Sequence, residues 1–237
     1  MAGLAAFVTL PLLGASTPAA SAAPSLAKSA DRGFSDPQPV TIAGYAGSAM
    51  EPFISRDGNY LFFNTSNQSP DIATLQYATR ASSQSFAFQG PMAGANDPSA
   101  LSGTPSMDDN GLLYFVSPRS YDQTLATVYA GQFADGQLTG LHLVPGVSAG
   151  IAGTVDFDVE VSAAGDRLYV SVGQFGGGSA PSSAHLALFD QQGSGFVPDP
   201  HSARLLHAVN KSGALTYAAS ISTNGLELFF TRDTPAS

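Results

Sequence analysis

Asp156, Asp158 and Glu160 are the residues whose types and spacing first suggest chemistry. They alternate with Phe157, Val159 and Val161, and a period of two puts three carboxylates on one face of a β-strand and three apolar side chains on the other. Like charges so close repel unless water or a cation lies over them. Calcium suits carboxylate oxygens, but it wants about six to eight of them, and the acids of one strand all point the same way. A water-facing strand is the plainer expectation, and the sequence asks for no metal and no cofactor. A second set appears when four recurring glycines, Gly58, Gly111, Gly165 and Gly225, are superimposed. Glu51, Thr104, Asp158 and Ala218 then share one position at the start of a strand. Two carboxylates there could face a cation or a polar ligand. Thr104 and Ala218 exclude a cage of four carboxylates, and solvated polar residues around a wet channel are the plain alternative. The candidate ligand-facing residues are therefore Glu51, Thr104, Asp156, Asp158 and Glu160.

Other constellations carry less. Asp108-Asp109-Asn110-Gly111 looks like the start of a calcium loop but lacks its distal Glu, and it reads as turn chemistry. The glycine-rich stretch 173–181, GQFGGGSAP, opens no helix and has no phosphate-binding Lys, so it reads as a loop. His142, His185, His201 and His207 have no metal-binding spacing, and no Gly-x-Ser-x-Gly elbow is present. No residue is assigned a catalytic role.

The glycines belong to a repeated phrase. ISRDGNYLFF (54–63), SMDDNGLLYF (106–115), VSAAGDRLYV (161–170) and ISTNGLELFF (221–230) each read as strand, tight turn, strand, and the glycines are 53, 54 and 60 residues apart. The turn residues supply the positive backbone angles of a hairpin. Two more strands follow each of the first three phrases: 71–80 and 83–91, then 124–133 and 137–145, then 184–190 and 195–199. A period near fifty with four strands per repeat predicts a β-propeller. The chain is thus read as all-β: a propeller of four-stranded antiparallel blades, about four of them visible and the last incomplete, as in a chain cut from a larger ring. Residues 34–40 resemble a fourth-strand segment and occupy the slot before the first full blade. An unclosed ring would expose blade edges and apolar faces.

At these phrases the sequence resembles the WD40-like repeat of bacterial TolB-type propellers, whose blade runs Ile-Ser, Pro-Asp-Gly, then an aromatic-rich strand. EPFISRDGNYLFF, TPSMDDNGLLYF and ASISTNGLELFF carry the likeness well and DVEVSAAGDRLYV less well. The family's proline is replaced in every copy, by Arg56, Asp109, Ala163 and Thr223. The resemblance implies a periplasmic or secreted binding module, and a shared fold does not by itself carry an activity.

Composition narrows the classes. Net charge is −9, with nine Lys and Arg together, too few for a phosphate-tracking stripe, so nucleic acid is excluded as a partner. There is no Cys, hence no disulfide or thiolate site. Residues 3–13 form an apolar run too short to span a bilayer, followed by Ala20-Ser21-Ala22, a small-x-small cleavage pattern. No basic residue precedes the run. Residues 1–30 are read as a signal peptide and Ala/Ser/Pro-rich leader, and 31–237 as one propeller domain without a membrane span. The expected function is a secreted or periplasmic non-catalytic binding or scaffold module for a protein or carbohydrate ligand. The alternatives are a propeller-type glycoside hydrolase or lyase using channel carboxylates, and a fragment of a longer exported propeller protein.

Overall fold

The computed structural model describes residues 4–9, 36–66, 72–177 and 180–234; the Ala20-Ser21-Ala22 motif lies outside them. Strands dominate, and helix among the described residues is limited to two four-residue turns, α1 (Tyr121–Thr124) and α2 (Ser202–Leu205). The strands form four sheets in chain order. The first contains β2 (Thr41–Ala43), β3 (Met50–Ile54), β4 (Tyr60–Asn64), β5 (Leu75–Ser82) and β6 (Ser85–Pro91), in the order β2-β6-β5-β4-β3. The second is an antiparallel meander of β7 (Gly103–Met107), β8 (Leu112–Val116), β9 (Val128–Ala134) and β10 (Gln137–Leu143). The third repeats it with β11 (Thr154–Val161), β12 (Arg167–Gln174), β13 (Ser183–Gln192) and β14 (Gly195–Pro198). The fourth pairs β15 (Leu215–Ile221) with β16 (Glu227–Asp233), and the backbone of β1 (Leu4–Thr9) runs antiparallel along β16.

One turn design serves all four first hairpins. Gly58, Gly111, Gly165 and Gly225 take φ between 71° and 78°, and each donates its N–H to the carbonyl three residues back, Ser55, Asp108, Ser162 or Ser222. The side chains of those four residues then accept the N–H that opens the second strand, at 2.9 Å from Tyr60 and Leu112, 3.1 Å from Arg167 and 2.9 Å from Glu227. Asp108 also accepts from Asn110 N–H at 2.9 Å. Its carboxylate is thus spent on the turn, as its sequence suggests.

The second strands β4, β8 and β12 are buried on both faces, and their side chains fill the spaces between sheets. Phe62 and Leu75 meet Met107, Leu113, Phe115 and Phe133 between the first and second sheets. Tyr114, Val116 and Val128 meet Val159, Val161, Leu168 and Val170 between the second and third. Tyr169, Leu186 and Leu188 meet Ile221, Leu228 and Phe230 between the third and fourth. Packing follows the innermost strands, from β3 and β4 to β7, from β7 and β8 to β11, and from β11 and β12 to β15.

Three expectations change. The strand expected from Thr124 starts at Val128, because Tyr121–Thr124 closes a helical turn ended by Leu125 in the left-handed region, φ 54°. Residues 36–40, the described part of the segment likened to a fourth strand, form no strand; the chain pairs just after them, where β2 lies parallel to β6 and makes the first sheet five-stranded. The outer face of that sheet is accordingly not bare. Phe63 and Phe86 are fully buried beneath Ile42, Tyr45 and Phe88, with the Tyr45 ring 5.0 Å from Phe63 and 4.9 Å from Phe88.

Candidate functional site

The first hairpin strand of each sheet contains a one-residue bulge near its start, at matching positions in β3, β7 and β15 and about one residue earlier in β11. Register slips between Met50 and Phe53 in β3, Gly103 and Ser106 in β7, Asp156 and Asp158 in β11, and Tyr217 and Ser220 in β15. Glu51, Thr104 and Ala218 sit in the left-handed region, with φ 51°, 51° and 54°. Such a conformation is costly for any residue with a Cβ and most unusual for a β-branched one. A bulge re-aims side chains, and here it turns the start of each strand toward a common space.

That space is a cavity of about 470 Å³. Residues of all four sheets line it, among them Glu51 and Asn64, Thr104, Phe157 and Phe175, and Tyr217. Two of the predicted residues, Glu51 and Thr104, therefore share one wall system. Asp156, Asp158 and Glu160 stand behind the lining. The expected strict alternation in β11 fails at the bulge, which puts Asp156 out of step with the other two acids. Nor is this face open to water, since Asp156 and Glu160 are only 5% and 4% exposed.

Burial sets the electrostatics. Loss of water pushes the carboxyls of Asp156, Asp158 and Glu160 up to about 7. For Asp158 a hydrogen bond from Ser171 Oγ, 3.1 Å away, works against burial, while the nearby charge of Glu51 adds to it. Glu160 is a pin between sheets. It accepts from Ser106 Oγ of the second sheet at 2.6 Å and from Ile221 N–H of the fourth at 3.1 Å, and Arg56 of the first lies 3.6 Å from its Oε1. The Glu51 carboxyl is also raised by the walls around it, against hydrogen bonds from Asn64 and from Thr104 N–H. It rests on the backbone of Gly103, where a Cβ would come within 3.2 Å of Oε2.

Several participants are not evident from the acids alone. Asn64 Oδ1 accepts Thr104 N–H at 3.2 Å and Ser171 Oγ accepts Ala218 N–H at 3.1 Å, so a polar side chain on one sheet's second strand holds the bulge of the next sheet. The same glycine superposition contains their signal: Asn64, Ser117, Ser171 and Thr231 share the position six residues after each glycine. The aromatic trio lies beyond such counting. Phe157 stands 5.7 Å from Phe175, edge to face, and 6.1 Å from Tyr217. Both Phe rings rest against Gly173, where a Cβ would lie 2.9 Å and 3.0 Å from them.

As chemistry, the cavity offers two carboxylates, Glu51 and Asp233, an amide, hydroxyls and three aromatic side chains. No group of three or more His, Asp or Glu among the described residues could hold a metal ion. Neither a family model nor a curated protein matches the chain.

Proposed function

We propose that the four sheets are blades of a β-propeller of the TolB-like kind, and that the chain is an exported, non-catalytic binding module which takes its ligand at the axial cavity. The observation that carries this reading is the repeated bulge. The first hairpin strands of all four sheets depart from regular pairing near their starts, three of them at one equivalent position and β11 about one residue earlier, and around these bulges lies a cavity within the usual size of ligand sites, about 300–1,000 Å³. Three non-glycine residues held in left-handed backbone there represent conformational cost concentrated at one place, a pattern typical of functional sites.

The test is a thermal-shift screen of polar and amphiphilic small molecules and oligosaccharides against the wild type and Phe157→Ala, with mass spectrometry of each stabilising compound after incubation. A ligand that raises the melting temperature of the wild type only, and is recovered intact, is the expected result. Recovery of cleaved or otherwise altered compound would put the carbohydrate-active enzyme reading in its place. Equal stabilisation of both proteins would remove the cavity from the reading.

A further inference from the structure

We propose that the cavity recognises an organic ammonium ion, with Glu51 as its counter-charge and Phe157, Phe175 and Tyr217 receiving its apolar body. The proposal rests on the binding-module reading and names the ligand class for that site.

Four features of the lining point to this class. First, its charge is of one sign: Glu51 and Asp233 line the cavity, and no Lys or Arg is among the described lining residues. Asp158 lies close enough behind the wall for the Glu51 charge to act on it. Two part-buried guanidinium groups outside the lining are engaged elsewhere, Arg56 with Glu160 and the Val161 carbonyl and Arg119 with Ser102 and the Ala95 carbonyl. Glu51 and Asp233 face solvent, and with no cation in the described lining beside them their negative charge is available to a cationic ligand.

Second, part of the lining is aromatic. Phe157, Phe175 and Tyr217 are half-buried, with their open sides on the cavity, and the negative face of an aromatic ring attracts a cation within about 6 Å of its centroid. Third, the Thr104 hydroxyl at the wall is buried and has no hydrogen-bond partner among the described residues, so the lining adds a polar oxygen and no competing cation there. Fourth, the site is held ready. Gly173 seats two of the rings, Gly103 and Asn64 seat the carboxylate, and a non-glycine residue in left-handed backbone presents it. A bare metal ion fits this set poorly, because aromatic rings give it no oxygen and the lining carboxylates belong to no group of three among the described residues that could hold it. A neutral sugar would leave Glu51 uncompensated.

The experiment compares three probes by ligand-observed NMR titration: butyltrimethylammonium, n-butylammonium as a stand-in for a lysine side chain, and 3,3-dimethylbutanol as a neutral body of similar shape. Either cation should bind at least tenfold more tightly than the alcohol. Preference for the quaternary ion identifies a free methylated amine as the ligand type, and preference for the primary ion identifies a lysine side chain of a partner. Glu51→Gln should weaken cation binding about tenfold, equivalent to the loss of about 1.4 kcal/mol, while leaving the alcohol unaffected. Phe175→Leu, close in volume but without a π face, should weaken it by a factor of about three to five, in line with an exposed cation–π contact. The inference is overturned if the alcohol binds as well as the cations, if no probe binds, or if Glu51→Gln binds cations like the wild type. An intact neutral ligand emerging from the thermal-shift screen, alongside cations that fail to bind, would reject the ammonium ion and leave the module reading standing. Conversion of a screened compound together with charge-selective binding here would reject the module reading alone.

Discussion

At the scale of single residues, the acids of β11 govern how stability responds to pH. Asp156, Asp158 and Glu160 have carboxyls raised to about 7 by burial, against about 4 in an unfolded chain. Between those values the folded protein binds protons that the unfolded chain has released. Stability from these groups is therefore full below about pH 4 and is lost as pH rises through about 7. Each pKa unit corresponds to about 1.4 kcal/mol, so the melting temperature should be several degrees higher at pH 5.5 than at pH 8. Asp158→Asn with Glu160→Gln should flatten that profile, and a wild-type melting temperature that climbs from pH 5.5 to 8 would contradict the assignment. Arg56 supplies a second check. Its side chain is 8% exposed and it is the cation of the Glu160 pin, with its Nε buried and unpartnered. Removing one member of a buried pair strands the other, at a cost of about 3–5 kcal/mol. Arg56→Met should approach that loss at pH 8, measured by urea unfolding, and lose markedly less at pH 5.5, where Glu160 takes up a proton instead.

At the scale of elements, the bulge is the unit that makes the site, and its strain is open to measurement. Ala218 is exposed, has φ 54°, and lends only its backbone N–H to the inter-sheet contact with Ser171. A left-handed non-glycine residue costs about 1–2 kcal/mol, and glycine returns about 0.4–1 kcal/mol of that through a freer unfolded chain. Ala218→Gly should therefore stabilise the protein by up to about 1 kcal/mol, or about 2–4 °C for a chain of this size. A melting temperature that falls would mean that the left-handed backbone is not what limits this strand. The same bulge marks where reading from the sequence stopped. Hairpins with four matching glycines were plain, because turn residues signal themselves locally. So were Glu51 and Thr104 as neighbours, because the repeat brings them into phase. The alternation of β11 was extrapolated through Phe157, since nothing in Asp-Phe-Asp tells an unbroken strand from one with an extra residue. Phe175 is not legible as a partner of Phe157 because their contact over Gly173 depends on the bulge in β11, and Tyr217 is not because it comes from the next sheet. Burial of the acids is not legible locally for a related reason: Glu160 owes its environment to Ser106 and Ile221, 54 and 61 residues away.

At the scale of the whole molecule, stacked sheets leave two outer faces to protect, and the first sheet shows how one of them is handled. Leu61, Phe63, Ala78 and Phe86 form an apolar face that no following sheet covers in the manner of the others; Ile42, Tyr45 and Phe88 pack on it instead. The chain leaves β2 through Gly44, φ 85°, and folds Tyr45 back over Phe63 and Phe88, where its hydroxyl donates to the Ser48 carbonyl at 2.9 Å. Gly47 makes room for that ring, since a Cβ there would lie 2.7 Å from the hydroxyl oxygen. Tyr45 thus acts as a lid on a surface that would otherwise invite association. Tyr45→Ala removes an aromatic side chain that is only half-buried, so the expected loss is about 2 kcal/mol, and the uncovered Phe63 face should make the protein self-associate. Sedimentation velocity over a tenfold concentration range should show a concentration-dependent rise in mass for Tyr45→Ala. Tyr45→Phe keeps the ring and gives up only the bond to Ser48, so it should sediment like the wild type and lose no more than about 1 kcal/mol. If Tyr45→Ala is destabilised yet remains as monodisperse as the wild type, Tyr45 is a packing residue and the face is guarded by something else. If both variants associate alike, the hydroxyl anchor rather than the ring keeps the segment in place.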